Sequence, residues 1–131
     1  RGDRLGRPAT MNAVQGSMLV NAVALAFVLT TAHALLKWAS QKPHATFAEL
    51  LLSQGAVVAL ALALYGGVFL WYLHALRRFE MAELFPLYTG LTLILVACTG
   101  VLLFGERLAP VQIGGILLIV AGLVLLQRGA A

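Results

Sequence analysis

Three polar side chains share one face of the first apolar segment, where they could bind an anion. On a helix, Thr30, His33 and Lys37 fall within about 60° of one another. A lysine ammonium binds phosphate as a point charge, and a histidine one turn away can add a hydrogen-bond donor. The alternative is that Lys37 only anchors the helix, with its stem in hydrocarbon and its ammonium at the interface beside Trp38. The residues alone leave both interpretations open.

A second set of polar candidates lies near the start of the third apolar segment. Tyr88 and Thr92 are one turn apart and could face a cavity. Glu83 stands near a predicted helix N-terminus, where the helix dipole favours a carboxylate. We include Tyr88 and Glu83 among the candidate substrate-binding residues.

The acidic residues lie at the ends of the apolar segments rather than within them. A proton-coupled exporter of cations usually needs a buried carboxylate that can exchange a proton for the substrate. The carboxylates nearest the segments are more typical of helix-end charges: Glu49, Glu80, Glu83 and Glu106.

The sequence shows no pattern typical of an enzyme, a metal site or a cofactor. Its three histidines and the single Cys98 lack metal-ligand spacing, and His44 and His74 look interfacial. No nucleophile–base–acid set and no glycine-rich phosphate loop is present. We therefore expect a protein that is not an enzyme and uses no cofactor and no metal.

The composition is that of a membrane protein. Of the 131 residues, 61% are hydrophobic and 11% are charged, whereas soluble domains have roughly 45–50% apolar and about 25% charged residues. The net charge of +4 comes from cations that flank apolar segments, so we expect no nucleic-acid partner.

The length of the apolar segments predicts an all-α integral membrane protein, a bundle of four transmembrane helices. A bilayer core of about 30 Å needs about 20 apolar residues as helix. We expect a polar basic tail over residues 1–16, one four-helix domain over 17–128 and a short tail over 129–131. The first ten residues are either a native basic tail or an upstream extension before a start at Met11. The predicted spans are Met18 to Trp38, Leu50 to Leu76, Leu84 to Phe104 and Val111 to Gln127.

The flanking cations predict that both termini lie in the cytoplasm. One side carries six cations and the other side three, and without the first ten residues the count is three against three. The orientation therefore depends on Arg77 and Arg78 in the second connection. The two sets are Arg1, Arg4, Arg7, Arg77, Arg78 and Arg128 against Lys37, Lys42 and Arg107.

Small residues mark possible packing faces on the second and fourth helices. Lipid supplies no hydrophobic drive for helix association, so close backbone approach through small residues matters. The small faces comprise Gly55, Ala59, Ala63 and Gly67 on helix 2, and Gly114, Gly115, Ala121 and Gly122 on helix 4. These faces could pack within the chain or form a dimer. On helix 1, we expect Asn21 to form a hydrogen bond with a neighbouring helix.

Three short motifs resemble the drug/metabolite transporter superfamily. "GERLAPVQIGGILLIVAGLVLL", Gly105 to Leu126, resembles its closing helical hairpin. "AHALLKWAS" resembles the first-helix motif of the aminoarabinose–undecaprenyl phosphate flippase subunits, with Lys37 at the lysine and His33 where glutamine is common. "ELFPLYTGL" resembles their third-helix opening, with Phe85 replacing a tyrosine. The small multidrug resistance exporters, the near alternative, carry a first-helix glutamate that this chain does not have.

The resemblance implies a small transporter or flippase subunit in the bacterial inner membrane. Its partner molecule would be a membrane lipid or a lipid-linked sugar, specifically a polyprenyl-phosphate-linked sugar. The protein would work as a homo- or hetero-dimer with a similar small membrane protein. Lys37 and His33 would hold the phosphate. One alternative is an exporter of organic cations or metabolites that uses a helix-end carboxylate. Another is a non-transporting structural subunit of a larger membrane complex.

Overall fold

Four helices account for most of the described backbone in the computed structural model. The structure describes residues 7–43 and 46–129. All four helices are long and apolar enough to cross a membrane, and the described residues contain no strand. The predicted all-α, four-span fold is confirmed. The helices are α1 (Arg7–Ser40), α2 (Phe47–Ala75), α3 (Met81–Phe104) and α4 (Pro110–Gly129).

The helices begin earlier than the apolar segments that predicted them. α1 begins at Arg7, so much of the segment predicted to be a tail is helical. α3 begins at Met81, which places Pro86 inside the helix. Hydropathy locates the part of a helix that suits hydrocarbon, whereas helix geometry continues into polar flanks. Arg1, Arg4 and His44 lie outside the described residues.

Local signals explain where several helices start and stop. Thr46 caps α2, because its hydroxyl accepts a hydrogen bond from the Glu49 N–H at 3.2 Å. α3 ends at Phe104, and Gly105 follows with a left-handed φ of 64°. Pro110 then opens α4, where its missing N–H costs little.

α1 is the central helix of the molecule. It packs against α2 and α3, while α4 packs against α3 alone. The Trp71 Nε1–H donates a hydrogen bond to Asn21 Oδ1 at 3.0 Å, which confirms the expected link from Asn21 to a neighbouring helix. The buried core is shared by three helices and includes Met18, Ala22, Leu25, Val68, Ala75, Leu84, Leu87 and Tyr88. α4 contributes no buried residue.

The small faces of α2 and α4 do not pack within the chain. A Cβ at Gly55, Gly67, Gly114, Gly115 or Gly122 would meet no atom within 4 Å. The intramolecular alternative is therefore wrong, because these faces point away from the neighbouring helices. The tightly packed glycines are instead on α3. A Cβ at Gly90 would lie 2.9 Å from both terminal methyls of Leu123, and one at Gly100 would lie 2.6 Å from Glu106 Oε2.

Candidate functional site

A cleft of about 220 Å³ lies between α1 and α3, where their C-terminal ends come together. The α1 side is formed by Thr30, His33, Ala34 and Lys37, so the polar face predicted from the sequence faces this cleft. The α3 side is formed mainly by apolar and small residues, and the connection to α4 contributes one carboxylate. These residues are Val96, Thr99, Gly100, Phe104 and Glu106.

An ion pair between Lys37 and Glu106 crosses the cleft. Lys37 Nζ lies 2.7 Å from Glu106 Oε1, and each side chain is 47% exposed. At this distance the contact is a charge-assisted hydrogen bond. The charge of Lys37 is therefore matched by a carboxylate from another part of the chain, the connection between α3 and α4.

The turn after α3 places Glu106 in the cleft. Gly105 adopts the left-handed conformation that L side chains disfavour, and this reverses the chain at the end of α3. The Glu106 N–H then donates to the Gly100 carbonyl at 3.0 Å. The Glu106 carboxylate lies over Gly100, in the space that a Cβ would fill. Sequence reasoning assigned Glu106 to a helix end; the Gly105–Glu106 pair after an apolar helix was the signal for this fold-back.

Both nitrogens of the His33 ring are hydrogen-bonded within the chain. Nδ1–H donates to the Leu29 carbonyl, which can only accept, at 2.8 Å. The Tyr65 hydroxyl lies 3.0 Å from Nε2. Each ring nitrogen therefore already has a partner before any ligand binds. Tyr65, on α2, was not singled out from the sequence because only tertiary packing brings it to His33.

The two threonine hydroxyls of the cleft already donate hydrogen bonds to backbone carbonyls, so towards a ligand they can act only as acceptors. The buried Thr30 hydroxyl donates to the Ala26 carbonyl at 2.7 Å. The Thr99 hydroxyl donates to the Leu95 carbonyl, also at 2.7 Å. Lys37 is consequently the strong donor that the cleft offers, and Glu106 is its strong acceptor.

Tyr88 and Glu83, the other candidates from the sequence, do not line this cleft. Tyr88 is buried in the core, where its ring centroid lies 5.3 Å from that of Tyr72 and 5.6 Å from that of Phe85. Thr92 is also buried, and its hydroxyl donates to the Tyr88 carbonyl. Glu83 is half-buried in the first turn of α3, at the opposite end of that helix from Glu106. The structure thus brings together Thr30, His33 and Lys37, but not the third-helix candidates.

No group of three or more potential metal ligands occurs among the described histidine, cysteine and acidic side chains. Cys98 is a free, exposed thiol on α3. The polar side chains that line the cleft are one ammonium, one carboxylate, two hydroxyls and the imidazole of His33.

Comparison with known protein families assigns the whole membrane domain. The model of the EamA-like transporter family matches residues 7–128, which include all four helices up to the last residues of α4. No solved structure matches the chain. Members of this family are transporters and not enzymes, which agrees with the lack of an enzyme motif in the sequence. The chain is a multi-pass membrane protein that belongs to the EamA-like transporter family.

Proposed function

We propose that the chain is a subunit of a small transporter or flippase that moves an amphipathic anion, such as a polyprenyl-phosphate-linked sugar, and works as a dimer. The observation that carries this proposal is the position of the Lys37 ammonium in a cleft whose other walls are largely apolar. A phosphate headgroup would bind the ammonium, while Ala34, Val96 and Phe104 would contact the apolar part of the same molecule.

Glu106 would serve as the partner of Lys37 when no substrate is bound. An unpaired cation at membrane depth is costly, and the carboxylate removes that cost. The pair is half-exposed, so an incoming phosphate can reach Lys37 without first opening a buried core. The phosphate would repel the Glu106 carboxylate and take its place on the ammonium. Substrate binding would thereby release the connection between α3 and α4 from α1.

His33 would position the site and not bind the phosphate directly. Its ring is held between the Leu29 carbonyl and the Tyr65 hydroxyl, one helical turn from Lys37. Loss of His33 should therefore weaken transport less than loss of Lys37, because no fixed charge is removed.

The second candidate is an exporter of organic cations or metabolites. Glu106 in the cleft is the specific observation that favours it, together with the hydroxyls of Thr30 and Thr99, which are left as acceptors. A cationic substrate would bind the Glu106 carboxylate and displace the Lys37 ammonium from it. The two candidates therefore predict opposite roles for the two charges.

The deciding experiment measures binding and flipping of a labelled polyprenyl-phosphate sugar in proteoliposomes. For the anion carrier, Lys37→Gln should remove a charge-assisted contact worth roughly 1.5–3 kcal/mol. This corresponds to a loss of affinity of about tenfold to a hundredfold. Lys42→Gln is the matched control, because Lys42 lies outside the cleft with its Nζ 4.2 Å from the centroid of the Trp38 ring. The control variant should behave like the wild type.

Glu106→Gln separates the two candidates. An anion carrier should keep or gain affinity for the phosphate, because Lys37 loses its competing partner. A cation exporter should lose binding of a lipophilic cation, assayed in parallel, and should keep it in Lys37→Gln. Equal activity of Lys37→Gln and wild type towards the phosphate lipid, with expression matched, would contradict the proposed anion site.

A further inference from the structure

A second concave surface lies between α3 and α4. This groove has a volume of about 420 Å³ and is lined by six apolar residues, with Gln127 and Arg128 at one end. Arg128 lies in the last turn of α4, whereas Glu106 precedes the first residue of that helix. A helix of this length spans about 30 Å, so the groove and the cleft lie near opposite membrane surfaces. The apolar lining consists of Leu87, Leu91, Ile94, Val120, Leu123 and Val124.

The groove exists because α4 touches α3 at a narrow contact and packs against no other helix. Leu123 fills the space over Gly90, where a Cβ would lie 2.9 Å from its terminal methyls. Val120, three residues before Leu123, and Val124, the residue after it, are 40% and 47% exposed. In a membrane such a groove faces acyl chains. A helix with its side chains is about 10 Å across, whereas one acyl chain is thin enough to lie between two helices that already touch.

The charge at the end of the groove identifies the class of headgroup. Arg128 is exposed and forms no ion pair with another described side chain. A guanidinium presents a planar set of donors that matches two phosphate oxygens. Basic pockets between transmembrane helices at the membrane surface bind anionic lipid headgroups in this way. Gln127 beside Arg128 can donate an additional hydrogen bond.

We propose that the α3–α4 groove binds one anionic phospholipid, with an acyl chain along Leu91, Val120 and Val124 and its phosphate on Arg128 and Gln127. This site is separate from Lys37 and needs no transport activity. A lipid held here would support α4, which among the described helices packs against α3 alone.

The headgroup is tested by native mass spectrometry of the full chain in detergent, titrated with phosphatidylglycerol or with phosphatidylcholine of the same chains. The wild type should retain phosphatidylglycerol more tightly, by about tenfold, which is about 1.4 kcal/mol. Arg128→Gln should lose this preference. Arg78→Gln should keep it, since Arg78 is an exposed arginine outside the groove. Equal retention of the two lipids by the wild type, or the same preference in Arg128→Gln as in Arg78→Gln, would overturn the proposal.

The acyl chain is tested by filling the groove. Val124→Trp should weaken retention of both lipids, and Leu125→Trp should not, because Leu125 is 68% exposed and does not line the groove. If Val124→Trp instead dissociates a dimer and leaves lipid retention unchanged, the groove binds a second copy and the lipid site is wrong. The readout is the difference between Arg128→Gln and Arg78→Gln, both with Lys37 in place, so this proposal and the proposed transport function can fail separately.

Discussion

Lys37 illustrates how a single contact changes the meaning of a residue. From the sequence it was either an anchor or an anion site, and the structure gives it a carboxylate partner 2.7 Å away. Exposed ion pairs contribute about 0–1 kcal/mol. Because both side chains are nearly half-exposed, this pair contributes little to the stability of the fold. A weak pair that a ligand can replace is suited to a binding site.

The first prediction concerns Gly105, which directs Glu106 towards Lys37. Its φ of 64° would cost an alanine about 1–2 kcal/mol. Gly105→Ala should therefore lower the free energy of unfolding in detergent by about that amount, or release Glu106 from Lys37. Gly16→Ala is the control, since no atom lies within 4 Å of its Cβ position, its φ is not left-handed and it lies outside both small faces. Equal stability of the two variants, with the ion pair intact in a structure of Gly105→Ala, would show that the turn does not position Glu106.

At the scale of the helices, α3 connects the two proposed sites. Its Gly100 gives room to the Glu106 carboxylate at the cleft, and its Gly90 gives room to Leu123 beside the groove. The two glycines of α3 therefore have different structural roles. Gly100 leaves space for a charged side chain, whereas Gly90 permits the close helix approach by which membrane helices associate.

The second prediction tests the contact between α3 and α4. Gly90→Val should place a branched side chain against Leu123, which lies 2.9 Å from the Cβ position. Overpacking of this kind costs about 1–3 kcal/mol, measured as a lower free energy of unfolding in detergent. Gly16→Val is the control, because no atom lies within 4 Å of its Cβ position. Adding Leu123→Ala to Gly90→Val should recover part of the loss. No recovery would mean that these two residues do not set the distance between the helices.

At the scale of the whole molecule, the four helices leave much apolar surface without a partner. α4 has no buried residue, and no atom lies within 4 Å of a Cβ built at the glycines of the small faces on α2 and α4. In lipid an apolar surface needs no cover, so exposure alone does not require a dimer. The small residues favour one, because they permit close backbone approach between copies.

The third prediction is that Gly67→Leu and Gly122→Leu reduce the dimer fraction and leave the fold of one chain intact. Neither position has an atom within 4 Å of its Cβ, so each chain can accommodate the leucine. The dimer fraction is measured by light scattering in detergent and by mass photometry in nanodiscs. Gly16→Leu, equally open in one chain but outside both small faces, should keep the wild-type fraction. An unchanged dimer fraction in both test variants would make the small faces incidental.

The fourth prediction places both termini in the cytoplasm. In a chain without Cys98, a cysteine at Arg78 should react with an impermeant reagent from the cytoplasmic side, and one at Lys42 from the outside. The expectation follows from the paired arginines Arg77 and Arg78 in the connection between α2 and α3. If a cysteine at position 78 reacted from the outside only, the orientation of the protein would be the reverse of the predicted one.

The sequence by itself determined the number of membrane helices and the polar face of α1. Four apolar segments of the length of a bilayer must form helices there, because the backbone has to satisfy its own hydrogen bonds. Helical periodicity then puts Thr30, His33 and Lys37 on one side of α1, and the structure shows all three at one cleft.

Only the tertiary structure decided what meets that face. The Glu106 partner of Lys37, the Tyr65 partner of His33 and the exclusion of Tyr88 from the cleft all depend on how helices pack. In a soluble protein the apolar side of a helix marks the side that is buried, but here the lipid-facing and protein-facing sides are both apolar. Periodicity therefore reveals which residues share a face, and the fit of one helix against another decides which faces come together.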